Sequence, residues 1–133
     1  MEMNQSTGYK FQSTNGKSYT AVTVIDADAD GSAFDWAFNM IPEHQLTNFA
    51  TTAWAPGMNS AGTANPVWVT PTKTTTVYVK YGGSIMTGAG STSPCGLKYD
   101  AAFPLSALQS QRVSFSGGNG AMSLFTCDGT PIS

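Results

Sequence analysis

The stretch Phe34-Asp35-Trp36-Ala37-Phe38-Asn39-Met40 sets large apolar residues at every second position and small or polar ones between them. A period of two is the signature of a β-strand with one face turned inward, because successive side chains point to opposite sides of the pleat. The face carrying Phe34, Trp36, Phe38 and Met40 is the buried one, so Trp36 is read as a core residue. Thr74 to Tyr81 repeats the pattern, with Val77, Val79 and Tyr81 on one side and Tyr78 and Lys80 on the other. Tyr19 to Ile25 is rich in β-branched residues and is the expected partner of the first strand.

Working outward, Leu46–Trp54, Val67–Val69, Gln111–Phe115 and Ala121–Cys127 bring the count to about seven strands, and Lys10–Gln12 is a candidate short one. The turns agree. Asn15-Gly16 and Asn119-Gly120 favour left-handed turn geometry, and Pro56-Gly57, Gly62, Pro66 and Pro71 interrupt the middle of the chain. Thr87–Gly96, within a stretch bounded by residues 84 and 96, is Gly/Ser/Thr-rich without periodicity and reads as a mobile loop. Pro104–Gln111 admits a short helix or a turn. The expectation is a single all-β domain over residues 1–133, an Ig-like or Greek-key two-sheet β-sandwich. Residues 1–10 are then either a flexible end or a strand exchanged with another chain.

Composition supports that class. Of 133 residues, 41% are hydrophobic but only 11% are charged, against about a quarter in a typical soluble protein. Thr, Ser, Gly and Asn make up the difference, which suits strands and turns better than solvent-facing helices. Net charge is −2 and the six Lys and Arg residues are scattered. Nucleic-acid binding requires clustered cations that displace phosphate counterions, so nucleic acid is set aside as a partner. No apolar run reaches the length of a membrane-spanning helix. The amino-terminal MEMNQSTGYK lacks the basic and apolar regions of a secretory signal. The composition nevertheless looks extracellular, and the protein is read as secreted or displayed on the cell surface. Asn4-Gln5-Ser6 matches the glycosylation pattern.

Two cysteines, Cys95 and Cys127, are too far apart in sequence for a CxxC motif. Either they close one disulfide around a loop of about 30 residues, or they are two separate buried thiols. Carboxylates stand at alternate positions in Asp26-Ala27-Asp28-Ala29-Asp30-Gly31, with Asp35 following. Four of the eight acidic residues fall within these ten positions, where they repel one another unless a cation or solvent screens them. Calcium takes six to eight oxygen ligands, and this spacing matches the first half of an EF-hand. The second half fails, since the twelfth position is Ala37. A hairpin Ca²⁺ loop of Asp26, Asp28, Asp30 and Asp35 and a solvated acidic turn both stay open.

No catalytic apparatus is expected. His44, the single histidine, follows Pro42-Glu43 in a loop with no nucleophile motif nearby. Glu43, Asp100 and Asp128 are acids outside the cluster, and nothing in their spacing marks a glycosidase pair. Trp54 and Trp68 flank Pro/Gly-rich segments, with Tyr78 and Tyr81 close in sequence. Either tryptophan packs in the core, or presents a flat ring for a sugar face.

The residues carry a resemblance as well. AWAPG at 53–57, PVWVTPTKTTTVYVKY at 66–81, LKYD at 97–100 and LSALQSQRV at 105–113 resemble β-sandwich modules of very large bacterial surface and secreted proteins of adhesin type. NGKSYTAVTVIDADADGSAFDWAFNMIP, residues 15–42, is similar in layout. The resemblance implies a structural or adhesive role beside neighbouring domains or identical subunits. Such modules continue into a further strand, whereas these residues stop at Thr130–Ser133 after a Cys-Asp-Gly turn. A strand missing there would leave backbone donors open to another chain. Self-assembly by strand exchange, with residues 1–10 as the donor, and glycan binding are the alternatives to a purely structural module.

Overall fold

The computed structural model describes residues 7–25, 36–55, 67–114 and 120–133. They fall into two compact units, one of residues 10–45 and one of the remainder.

In the unit of residues 10–45, β1 (Val22–Ile25) pairs antiparallel with β2 (Trp36–Asn39), Val22 opposite Asn39 and Ile25 opposite Trp36. This is the hairpin expected from the opening pattern. Asn15-Gly16 forms the expected turn: Gly16 has φ +70°, and the Asn15 side chain accepts the Lys17 N–H at 3.2 Å. Lys10–Gln12 carries no strand pairing. A 3₁₀ turn at Glu43–Gln45 holds an exposed His44, and Glu43 ion-pairs with Lys10.

Among its described residues, the second unit is all strand and turn. Its strands are β3 (Phe49–Ala55), β4 (Val67–Val69), β5 (Thr75–Tyr81), β6 (Ser91–Thr92), β7 (Lys98–Tyr99), β8 (Ala101–Leu105), β9 (Gln111–Val113) and β10 (Gly120–Phe125). Four of them make an antiparallel sheet in the order β3-β10-β5-β8, and β4 pairs with β9. Register places Val77 opposite Phe103 and Val79 opposite both Ala101 and Leu124. Val77 and Val79 therefore share one face with Met122, Leu124 and Leu105. That face meets Val69 and Val113 of the β4–β9 pair, together with Ile132, in one buried cluster. Two layers over one apolar interior make a β-sandwich. Each fully buried Val or Leu contributes roughly 1.5–3 kcal/mol of transfer free energy. The strand order does not by itself establish an immunoglobulin-like topology.

Three features depart from the sequence reading. β8 includes Pro104, read as the start of a turn or helix. It survives because β8 is an edge strand, where the missing N–H interrupts no ladder. The turn follows at Ala107–Leu108, with Leu108 at φ +61°. The stretch 84–96 is not a featureless loop, since it contains β6, which pairs with β7. Finally, the last residues are not open. Ile132 bridges Thr47 and Pro71, and Thr70 and Ser133 exchange both backbone hydrogen bonds at 2.9 and 3.0 Å. Gly129, at φ +78°, makes the reversal that returns the chain to these partners.

Candidate functional site

The face of the sheet away from the sandwich interior carries Tyr78 and Lys80 from β5 and Ser123 and Phe125 from β10, paired Tyr78 with Phe125 and Lys80 with Ser123. The alternation predicts that such a face is wet. Instead Phe125 is 1% exposed and Lys80 6%. The β5–β8 connection, residues 82–100, supplies the cover. The Tyr99 ring meets Tyr78 edge-on at 4.9 Å, and Tyr78 stacks on Phe125 at 5.4 Å. Lys98 N–H donates to the Ile85 carbonyl at 2.7 Å, and Asp100 N–H donates to Val79 at 2.8 Å. Ser84 turns the chain, its hydroxyl oxygen accepting the Met86 and Thr87 amides.

Small residues let this segment lie close. A Cβ on Gly88 would sit 3.3 Å from Lys80 Cε and collide with the Ser84 carbonyl. One on Gly90, at φ +117°, would approach the Tyr99 carbonyl to 2.5 Å and Asp100 Oδ1 to 2.9 Å. Lys80 Nζ meets both Asp100 oxygens, at 2.8 and 2.9 Å, and Tyr81 N–H donates to the same carboxylate at 2.8 Å. The end of the cover is tied down covalently by a disulfide between Cys95 and Cys127, with Cα atoms 5.3 Å apart.

The electrostatics are those of a lock. Partial burial pushes the Asp100 carboxyl up, but hydrogen bonds from Lys80 and the Tyr81 amide, with the Lys80 charge, more than reverse this and hold it below the ordinary carboxylate range. Asp128 is held low by the Thr130 amide and then by the Thr75 hydroxyl. Burial first, and the Asp100 charge second, push the Tyr81 phenol up. A glycosidase acid needs a carboxyl raised towards neutrality. Asp100 and Asp128 are shifted the opposite way, and each is engaged in structural hydrogen bonds.

The sequence-derived candidates are distributed as follows. Asp26, Asp28, Asp30 and Asp35 lie outside the described residues, as do the side chains of Trp36 and Trp54. Trp68 stands on β4 opposite Arg112 of β9 and is 53% exposed, so the core placement does not hold for it. Tyr78 and Tyr81 are half-buried in packing and do not join Trp68 in a flat aromatic platform. Among the described residues, no three His, Cys, Asp or Glu side chains come together as a metal site, and no helix is long and apolar enough to cross a membrane.

Comparison with known protein families, curated proteins and solved structures finds no match.

The Lys80–Asp100 pair was invisible to the strand pattern, which placed Lys80 in solvent. Its trace in the sequence is indirect: a single lysine in an otherwise uncharged strand, followed by a small-residue segment that ends in aspartate.

Proposed function

We propose that this protein is a non-catalytic structural or adhesive module of an extracellular or cell-surface protein, working beside neighbouring domains or identical subunits. One observation carries the reading. The central strands β5 and β10 are packed on both faces, and the cover over their second face is held by a disulfide and by an ion pair whose lysine is buried. That construction spends interior polar and aromatic side chains on rigidity, and a disulfide persists in oxidising compartments. The module's task is then mechanical, to hold its shape under load.

Single-molecule pulling of the chain between reference domains tests this. A discrete unfolding peak is expected. With the cysteines 32 positions apart in sequence, the oxidised form should release about 110 Å less contour length than the Cys95→Ser/Cys127→Ser variant. Smooth extension without a peak would rule out a load-bearing role.

Exposure of Trp68 favours a second reading, a carbohydrate-binding module in which that ring stacks on a sugar face. Glycan-array binding that disappears in Trp68→Ala would support it, and an array blank for the unaltered chain would remove it. Calcium at Asp26, Asp28, Asp30 and Asp35 rests on the sequence pattern. Melts with Ca²⁺ and with chelator should differ by several degrees if the ion binds only the folded form, and coinciding melts discard it.

A further inference from the structure

The sheet has two edges, and they are built differently. The β8 edge carries Pro104, and proline on an edge strand is a standard obstacle to pairing with another chain. The β3 edge carries no such device. Its seven residues, Phe49 to Ala55, include no charge and no proline, and among the described residues its one strand partner is β10. Phe49 is 40% exposed, and Ala50 and Thr51 are exposed too.

The ladder shows which backbone groups point outward. Thr126 N–H donates to the Asn48 carbonyl at 3.0 Å. Neighbouring residues of an antiparallel strand alternate in direction, so Asn48, Ala50 and Thr52 address β10, while Phe49 and Thr51 turn their N–H and C=O away from it. At Phe49 those two groups are satisfied locally, both by the Thr47 hydroxyl. At Thr51 they are open to an added strand, and the Thr51 hydroxyl meets Ser123 at 3.3 Å on the sheet face rather than folding over the edge.

We propose that the β3 edge pairs antiparallel with β3 of a second copy of this chain, forming a two-fold dimer through a continuous sheet. Open backbone groups on a sheet edge are a template for an added extended strand. A charge-free segment meets its own copy without like-charge cost. The amino-terminal segment is a poorer occupant, because Thr7 bridges Gln109 and Gly8 N–H donates to Leu108 at 2.6 Å within the same chain. An isologous contact closes on itself, and with Pro104 on the far edge the assembly stops at two copies. The inference stands apart from the load-bearing role and does not depend on it.

Sedimentation velocity over a wide concentration range tests the dimer. The unaltered chain should pass from monomer to dimer. Thr51→Lys and Thr51→Pro, neither of which removes a backbone bond to β10, should weaken association at least about tenfold, whereas Thr51→Val, which loses only the hydroxyl contact with Ser123, should leave it unchanged. In the unaltered chain, the Thr51 amide should exchange hydrogen more slowly as concentration rises while the Ala50 amide does not, a readout that needs no variant. A monomer at every concentration overturns the proposal. So does a dimer indifferent to both Thr51→Lys and Thr51→Pro, or one that is lost on deleting residues 1–6 yet survives Thr51→Lys, which would assign the contact to strand exchange.

Discussion

Removing Asp100 should destabilise this protein more than removing Lys80, although both changes break the same ion pair. The two side chains are unequally placed: the lysine is 7% exposed and the aspartate 28%. Asp100→Ala leaves an ammonium with almost no access to water, and stranding one member of a buried pair costs about 3–5 kcal/mol. It also removes the acceptor of the Tyr81 N–H, worth about 1 kcal/mol. The exposed flank of the aspartate lets water reach the ammonium once the carboxylate is gone, so the lower end of that range applies, about 3 kcal/mol, and about 4 kcal/mol with the lost acceptor. Lys80→Met leaves a carboxylate that keeps the Tyr81 N–H and part of its hydration. The methionine keeps the apolar stem in contact with Gly88, and the cost should be about 1 kcal/mol. Adding Lys80→Met to Asp100→Ala removes the stranded charge and should recover about 1 kcal/mol. Urea denaturation followed by intrinsic fluorescence, with slopes compared among the variants, reads all three. Equal costs, the reverse order, or a double variant less stable than Asp100→Ala would show that Lys80 is not enclosed.

Three further outcomes follow from the same contacts. Cys95→Ser/Cys127→Ser opens a loop of 32 residues and should lower stability by about 3–4 kcal/mol in the chain-entropy picture, with the far-ultraviolet dichroism of the sheet retained. Gly90→Ala must place a side chain at φ +117° and against the Tyr99 carbonyl, and should cost about 2–3 kcal/mol in the same denaturation assay. Asp100 and Asp128 both have folded-state affinities for protons below those of the unfolded chain, so the stability they contribute is complete above about pH 4 and is lost as pH falls through their folded values. The urea midpoint should therefore drop on acidification below about pH 4, and the drop should shrink in Asp100→Asn.

Much of the fold was legible because alternation is a direct image of the pleat. β4 and β5 fall where Val67–Val69 and Thr74–Tyr81 place them, and β1 pairs with β2 as the β-branched run beside Phe34–Met40 implies. β8 escaped because Ala101-Ala102-Phe103-Pro104-Leu105 has weak strand propensity and a proline, which only a position at the sheet edge makes tolerable. β6 and β7, of two residues each, are too short for a period to register. The second face escaped for a different reason. Its cover is rich in Gly, Ser and Thr, and the apolar residues within it, Ile85, Met86, Leu97 and Tyr99, follow neither a strand nor a helix period. An apolar pattern reports what a strand presents to its own core and says nothing of a polar segment folded over its back. The cysteines were legible as a permitted pair, but only the return of residues 84–100 across the sheet brings them to 5.3 Å.

Amine acylation of the native protein, mapped by mass spectrometry, tests directly whether the 82–100 segment covers the sheet. Lys80 should stay unmodified while Lys17 and Lys73 react freely, and it should become reactive once urea opens the fold. If Lys80 in the native, oxidised protein acylates as fast as Lys73, the second face is open to solvent and a sheet with central strands buried on both sides is the wrong description of this molecule.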